Sequence, residues 1–273
     1  TYQDCRNEWK DFFIENKIRG KNKGSGGLKN DLEYFIATLT NKIKSNNIKT
    51  TSKSSKPLVK YSYHNILRYF KHMVHIDNSE CERIWNEEGK LSQTINELKV
   101  KAEKANNNQE SNEKYYFIHI RDWHDPTNPY QYPEFQNFGF HCIKGSHGAD
   151  FIKPIEDLIT SDSLEQYNIV IDSNTLSCFA GTELDYVLRT IIKNENLLHG
   201  NVEMGVFGLV TNIKVKLLAY ELNEIYGYKD INICKDLSAG FYNKKHHDGL
   251  DYIEEILGIK VLSLEEFKSK FNF

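Results

Sequence analysis

Apolar positions along the chain follow two rhythms that alternate. Short, nearly continuous apolar runs occupy residues 70–77, 115–121, 168–172, 202–208, 230–234 and 259–262. Runs of that length, bounded by polar or Gly-containing stretches, read as buried β-strands. Between them lie stretches with helical spacing. Residues 91–105 carry Leu91, Ile95, Leu98 and Val100 on one face. Residues 181–193, a segment beginning near Ile213, and residues 246–257 read as further helices, and 264–271 as a closing one. Strands alternating with helices predict a doubly wound, mostly parallel, six-stranded α/β sheet with helices on both faces. In such sheets a site forms beyond the carboxyl ends of the strands.

The first 69 residues follow a different pattern. Trp9, Phe12 and Phe13 have helix-like spacing, and residues 21–27 form a Gly/Lys/Ser loop. Asn30 or Asp31 can cap a second helix whose apolar face is Leu32, Phe35, Ile36 and Leu39. Residues 45–56, rich in Lys, Ser, Thr and Asn, read as mobile. The expected organisation is a basic helical extension over 1–69 and an α/β domain over 70–273.

Charge sharpens that division. The net charge is −3, yet residues 1–71 hold 15 Lys/Arg against 6 Asp/Glu, and the remainder 20 against 32. A basic arm on an acidic domain can dock on the domain itself or serve a partner such as RNA, an acidic protein or anionic lipid. No apolar run approaches the roughly 18 residues of a membrane span. Five cysteines without paired spacing point to an intracellular, reducing compartment, the cytoplasm or an organelle such as the mitochondrion. The chain starts at Thr1, which is compatible with a removed targeting peptide.

Candidate chemistry gathers at four motifs. They are Arg121-Asp-Trp-His-Asp-Pro126, Phe140-His-Cys-Ile-Lys-Gly-Ser-His-Gly-Ala-Asp-Phe151, Ser177-Cys-Phe-Ala-Gly-Thr-Glu-Leu-Asp185 and Gly208-Leu-Val-Thr-Asn-Ile-Lys-Val215. In this order they resemble the isochorismatase-like cysteine hydrolases, which include nicotinamidases. The resemblance covers roughly residues 70–273. It implies a catalytic aspartate at the end of the first strand, which matches Asp77, with Ser79 where the family carries glutamine. A rival alignment puts Tyr2-Gln-Asp4 there but needs a long insertion. The family pattern Gly-Val-x-Thr-Asp-x-Cys-Val places the nucleophile at Lys214 and a cis peptide at Leu209–Val210. The backbone amides of Val210 and Lys214 would face the site, with Trp123 beside it.

Two family positions depart from the pattern. The nucleophilic cysteine is Lys214, and Asp172, Ser173 and Asn174 occupy the stretch where the catalytic lysine belongs. Thiolate attack cannot run with those residues. Lys214 has three readings: an ion pair with Asp77, a desolvated amine with catalytic work, or a solvent-facing side chain. A helix N-terminus disfavours an added cation, so an ammonium there calls for a carboxylate partner. Cys178 is a substitute nucleophile or a small buried filler. Asp122, His124 and His141 match the residues that bind a divalent metal in nicotinamidases. Imidazoles with a carboxylate suit zinc, iron or manganese; the other reading is hydrogen bonding of strand-end loops. His246-His247 reads as a helix-start feature.

The resemblance implies a hydrolase whose Cys-Lys-Asp chemistry is lost or replaced, with a pocket that can still take a small carbonyl compound. The rival reading is a pseudoenzyme: a structural or assembly subunit, or a homo-oligomer, contacting its partner through the extension.

Overall fold

The computed structural model describes residues 76–84, 89–108, 110–111 and 113–273. The extension expected over 1–69, with its helices and boundary, lies outside the described residues. The chain divides into two compact units. One runs to Asp122 and resumes at Phe151, and the other contains residues 123–150.

The first unit opens with helix α1, Asn78–Ile84, then α2, Lys90–Asn107. Strand β1, Phe117–Asp122, ends this part of the chain. The second unit holds the short helix α3, Tyr132–Phe138. Back in the first unit come α4, Lys153–Ile159, and β2, Asn168–Ser173. Helix α5, Leu184–Asn194, leads to β3, Glu203–Val206. Helix α6 runs through Thr211–Val215, Lys216–Tyr220 and Glu221–Ile225, with wide π-type turns at both ends. Strand β4, Asp230–Cys234, is followed by α7, Asn243–Asp251, which continues through Tyr252–Ile256. Strand β5, Lys260–Leu262, and α8, Leu264–Phe271, complete the chain.

Every ladder is parallel. β1 pairs with β2, and β4 lies between β3 and β5. The β1–β2 register sets Arg121 opposite Asp172, and their side chains form an ion pair at 2.7 Å. Alternation along β4 serves two cores. Ile231 and Ile233 enter a cluster with Leu184 and Leu188 of α5, Ala219 and Leu222 of α6, and Ile253 of α7. Cys234 enters another with Leu91 and Ile95 of α2, Leu158 of α4 and Phe267 of α8. Ser263 starts α8 with a reciprocal capping box, its hydroxyl accepting from Glu266 N while Glu266 accepts from Ser263 N.

The expected six strands become five among the described residues, in two ladders. Of the expected first strand only Ile76 and Asp77 are described, and they are not strand. Asp77 is a helix cap. Its Oδ1 accepts from the Ser79 amide and hydroxyl at 2.9 and 2.6 Å, and its carbonyl from Glu80 and Cys81. The other strands and helices fall within a few residues of their expected bounds. No helix among the described residues is long and apolar enough to cross a membrane.

Candidate functional site

The turn after β3 is built by contacts from distant segments. The Leu209–Val210 peptide is cis, as the resemblance implies. Gly208 adopts φ +140°, a conformation open to glycine. The Gly208 carbonyl accepts from Ala239 N, and Thr211 N donates to the Ala239 carbonyl at 2.8 Å. The Val210 carbonyl accepts from Ile213 and Val215. The buried Thr211 hydroxyl meets His246 Nδ1 at 2.9 Å. Two glycines allow close backbone approaches around this turn and the His246 that supports it. A β-carbon on Gly249 would lie 2.8 Å from Asn212 Cα, and one on Gly240 would lie 2.5 Å from His246 N. His246 is therefore more than a helix-start residue. Burial, then Arg83, pushes its pKa down to about 4, while Glu80 pulls it up. Buried Glu80 accepts from Gly240 N and pairs with Arg83, which also donates to the Ser238 carbonyl.

Lys214 projects from the first turns of α6 to the carboxyl ends of β1 and β2. Its ammonium donates to Asp122 Oδ1, to Ser173 Oγ at 3.0 Å and to the Thr175 carbonyl at 2.5 Å. The Lys214 side chain is 12% exposed and that of Asp122 26%. The ion pair read from the sequence thus forms with a different partner. Asp122 takes the place expected for Asp77, which is exposed and bonded to Ser79. Those Ser79 hydrogen bonds hold the Asp77 carboxyl below the usual range. The physical reason is local: Asp77 sits at a helix start, where its acceptors serve amides of its own first turn.

Further along α6, Glu221 accepts from the Ser177 hydroxyl and from Cys178 N at 3.2 Å. Ser177 Oγ accepts in turn from Phe179 and Ala180. This pins the Ser-Cys-Phe element. Cys178 is 1% exposed. Burial pushes its thiol up to about 12; Lys214 opposes the shift, and Glu221 and Asp122 add to it.

In the second unit, His124 N donates to the Cys142 carbonyl and Lys144 N to the His124 carbonyl. This bridge brings the Asp-Trp-His and His-Cys motifs together. His124 is fully buried, and its Nδ1 meets Gln131 Oε1 at 3.2 Å. His141 Nδ1 meets the Gly139 carbonyl at 2.9 Å. Both contacts are with oxygen acceptors, which calls for a proton on Nδ1 and makes Nε2 the nitrogen that a neutral ring would offer to a metal. The Nε2 atoms lie 3.7 and 3.8 Å from one oxygen, Glu134 Oε1. The candidate ligand atoms of His124, Glu134 and His141 lie within 4.8 Å of one another. Two imidazole Nε2 atoms facing a carboxylate, with their Nδ1 atoms held by acceptors, form a donor set that fits a divalent cation. Trp123, half-buried, begins this unit.

Sequence reading missed Glu134, Ser173, Thr175, Glu221 and the Glu80–His246 support. For Glu134 a signal existed. It stands seven residues before His141, directly behind Pro133, in a short segment that also carries Tyr132, Phe135 and Phe138.

No family model and no curated protein matches the chain. Solved structures do resemble it. A pyrazinamidase/nicotinamidase from Streptococcus mutans is 24% identical, with TM-score 0.48, covering 66% of this chain and 94% of its own. A Bacillus subtilis nicotinamidase is 21% identical, with TM-score 0.47, over 69% and 96% of the two chains. An isochorismatase-like hydrolase from Alkaliphilus metalliredigens is 20% identical, with TM-score 0.48, over 73% and 96%. The chain is thus similar in structure to nicotinamidases and isochorismatase-like hydrolases.

Proposed function

We propose that this chain is an isochorismatase-like protein without thiol catalysis, in which a fixed lysine–aspartate pair fills the nucleophile turn, and which carries a divalent-metal donor set at His124, Glu134 and His141. The observation that carries the reading is the Lys214 ammonium, held by Asp122, Ser173 and the Thr175 carbonyl. An amine with every proton directed at an acceptor offers no lone pair to a carbonyl carbon. Cys178 cannot replace the thiol, because burial keeps it protonated near neutral pH. His124, Glu134 and His141 would hold the metal. A bound ion would supply Lewis acidity for a small carbonyl ligand. Asp77 belongs to this reading as a helix cap, not as the partner of Lys214.

The test is turnover of nicotinamide and pyrazinamide by wild type and by Lys214→Cys. Wild type should give no amide hydrolysis above background, and no thioester should accumulate. Robust wild-type turnover that Cys178→Ala abolishes would overturn the reading.

A second reading is a pseudoenzyme acting as an assembly subunit, for which Leu198, Ile225 and Ile256, 73%, 59% and 66% exposed, are apolar side chains that an interface would cover. Residues 1–69 would supply the contact arm, with an acidic protein or RNA as partner. Loss of salt-sensitive association on deleting residues 1–66 would support it.

A further inference from the structure

A cavity of about 460 Å³ opens beside the residues that lead into β1 and β2, at the opposite ends of those strands from Lys214. Tyr116 directly precedes β1, and Tyr167 directly precedes β2. Their rings meet edge to face at 5.2 Å with planes 70° apart, and both residues line the cavity. Tyr186 of α5, 71% exposed, adds a third aromatic side chain. Ile169 and Val187 contribute apolar lining.

The charge of this cavity is one-sided. Glu195 stands directly after the last turn of α5 and lines it, and no Lys or Arg does so among the described residues. Glu195 accepts from the Tyr116 hydroxyl at 2.5 Å, and among the described residues it forms no ion pair. Burial and Glu195 push the Tyr116 hydroxyl pKa upward, so it stays a donor that orients the carboxylate. The carboxyl end of α5 adds the negative end of its dipole to the same place. Aromatic faces, an anchored carboxylate without a cation, and a helix C-terminus all favour positive charge.

We propose that this cavity binds a small organic ammonium ion, with a methylated head among Tyr116, Tyr167 and Tyr186 and its charge facing Glu195. The volume falls within the roughly 300–1,000 Å³ of small-molecule sites and leaves room for a short tail. The site is independent of Lys214 and of the metal ligands.

Choline is the probe, titrated calorimetrically into the full chain. Its neutral isostere, with carbon replacing nitrogen, is the control. Choline should bind saturably, and the isostere at least about fivefold more weakly, the discrimination expected of a cation over aromatic faces. Tyr186→Ala and Glu195→Gln should each weaken choline binding about five- to tenfold. Tyr186 is exposed enough for its truncation to leave the fold intact. Equal binding of the isostere, unchanged affinity in Tyr186→Ala, or no saturable choline binding would overturn the proposal.

Discussion

Cutting the Lys214–Asp122 pair at either end gives a measurable separation between its charge and its hydrogen bonds. Asp122→Asn keeps the side-chain volume and one oxygen but removes the charge facing the ammonium. Lys214→Met keeps the length and removes the cation. The exposures of 12% and 26% place the pair between two regimes. Exposed pairs contribute about 0–1 kcal/mol, and breaking a fully buried pair costs about 3–5 kcal/mol. About 2 kcal/mol is expected for each single substitution. Losing the lysine need not strand the Thr175 carbonyl, because the Ser173 hydroxyl lies 3.1 Å from both the Thr175 and Ser177 carbonyls and can donate to either. The double variant Asp122→Asn/Lys214→Met should therefore cost only about 2.5 kcal/mol, a coupling of about 1.5 kcal/mol. Urea unfolding in chelator-treated buffer measures the cycle, with unchanged denaturant slopes confirming a comparable unfolded state. Single effects that add within about 0.4 kcal/mol would refute the pair as the element that fills the turn.

The centre proposed at His124, Glu134 and His141 should take up about one divalent ion per chain. His141→Ala should abolish uptake, and Gln131→Ala, which releases His124 Nδ1, should weaken it about 10–100-fold by equilibrium dialysis. Unaltered affinity in Gln131→Ala would remove the orienting role. His246 has a folded pKa of about 4 against an ordinary 6.5, so the unfolded chain binds the proton first. Its contribution is complete above about pH 6.5 and declines by up to about 3 kcal/mol as pH falls toward 4. Denaturation at pH 7 and pH 5 should show this loss, reduced in His246→Gln. Part of the slope survives, because His119 is shifted in the same sense by burial. An identical slope in the variant would exclude His246 as its source. Cys178 should resist a thiol reagent at pH 8 until the protein unfolds, whereas half-buried Cys81 and Cys142 react earlier. Native labelling of Cys178 at their rate would contradict its burial.

The strand and helix alternation was legible because each apolar run has its own boundary signals. Residues 230–234 and 264–271 appear at the bounds the pattern predicts. The motif resemblance located the turn at Gly208–Val215 and its cis bond. Partners across the fold were not legible. Asp77 and Asp122 both follow apolar runs, and nothing local says which faces Lys214. The decision lies in a contact 92 residues apart in the chain, between the start of α6 and the end of β1. The Asp77–Ser79 pair could be read as a strand end or as a cap, and the helix that follows decides for the cap. Glu134 escaped because a seven-residue helix stopped by Gly139 gives too short a period to assign a face.

The close approach of Gly249 to Asn212 has a consequence for how this turn can vary. An alanine at 249 would drive a methyl group into backbone that no rotamer change can relieve, at a cost of about 1–3 kcal/mol. Position 214, by contrast, ends in an amine that reaches three acceptors through a flexible stem. A saturation scan should therefore find every substitution at 249 destabilising, whereas at 214 the cost should vary with what replaces the amine. Chemistry at such a turn can be exchanged one side chain at a time, while the frame that presents it resists even a single carbon.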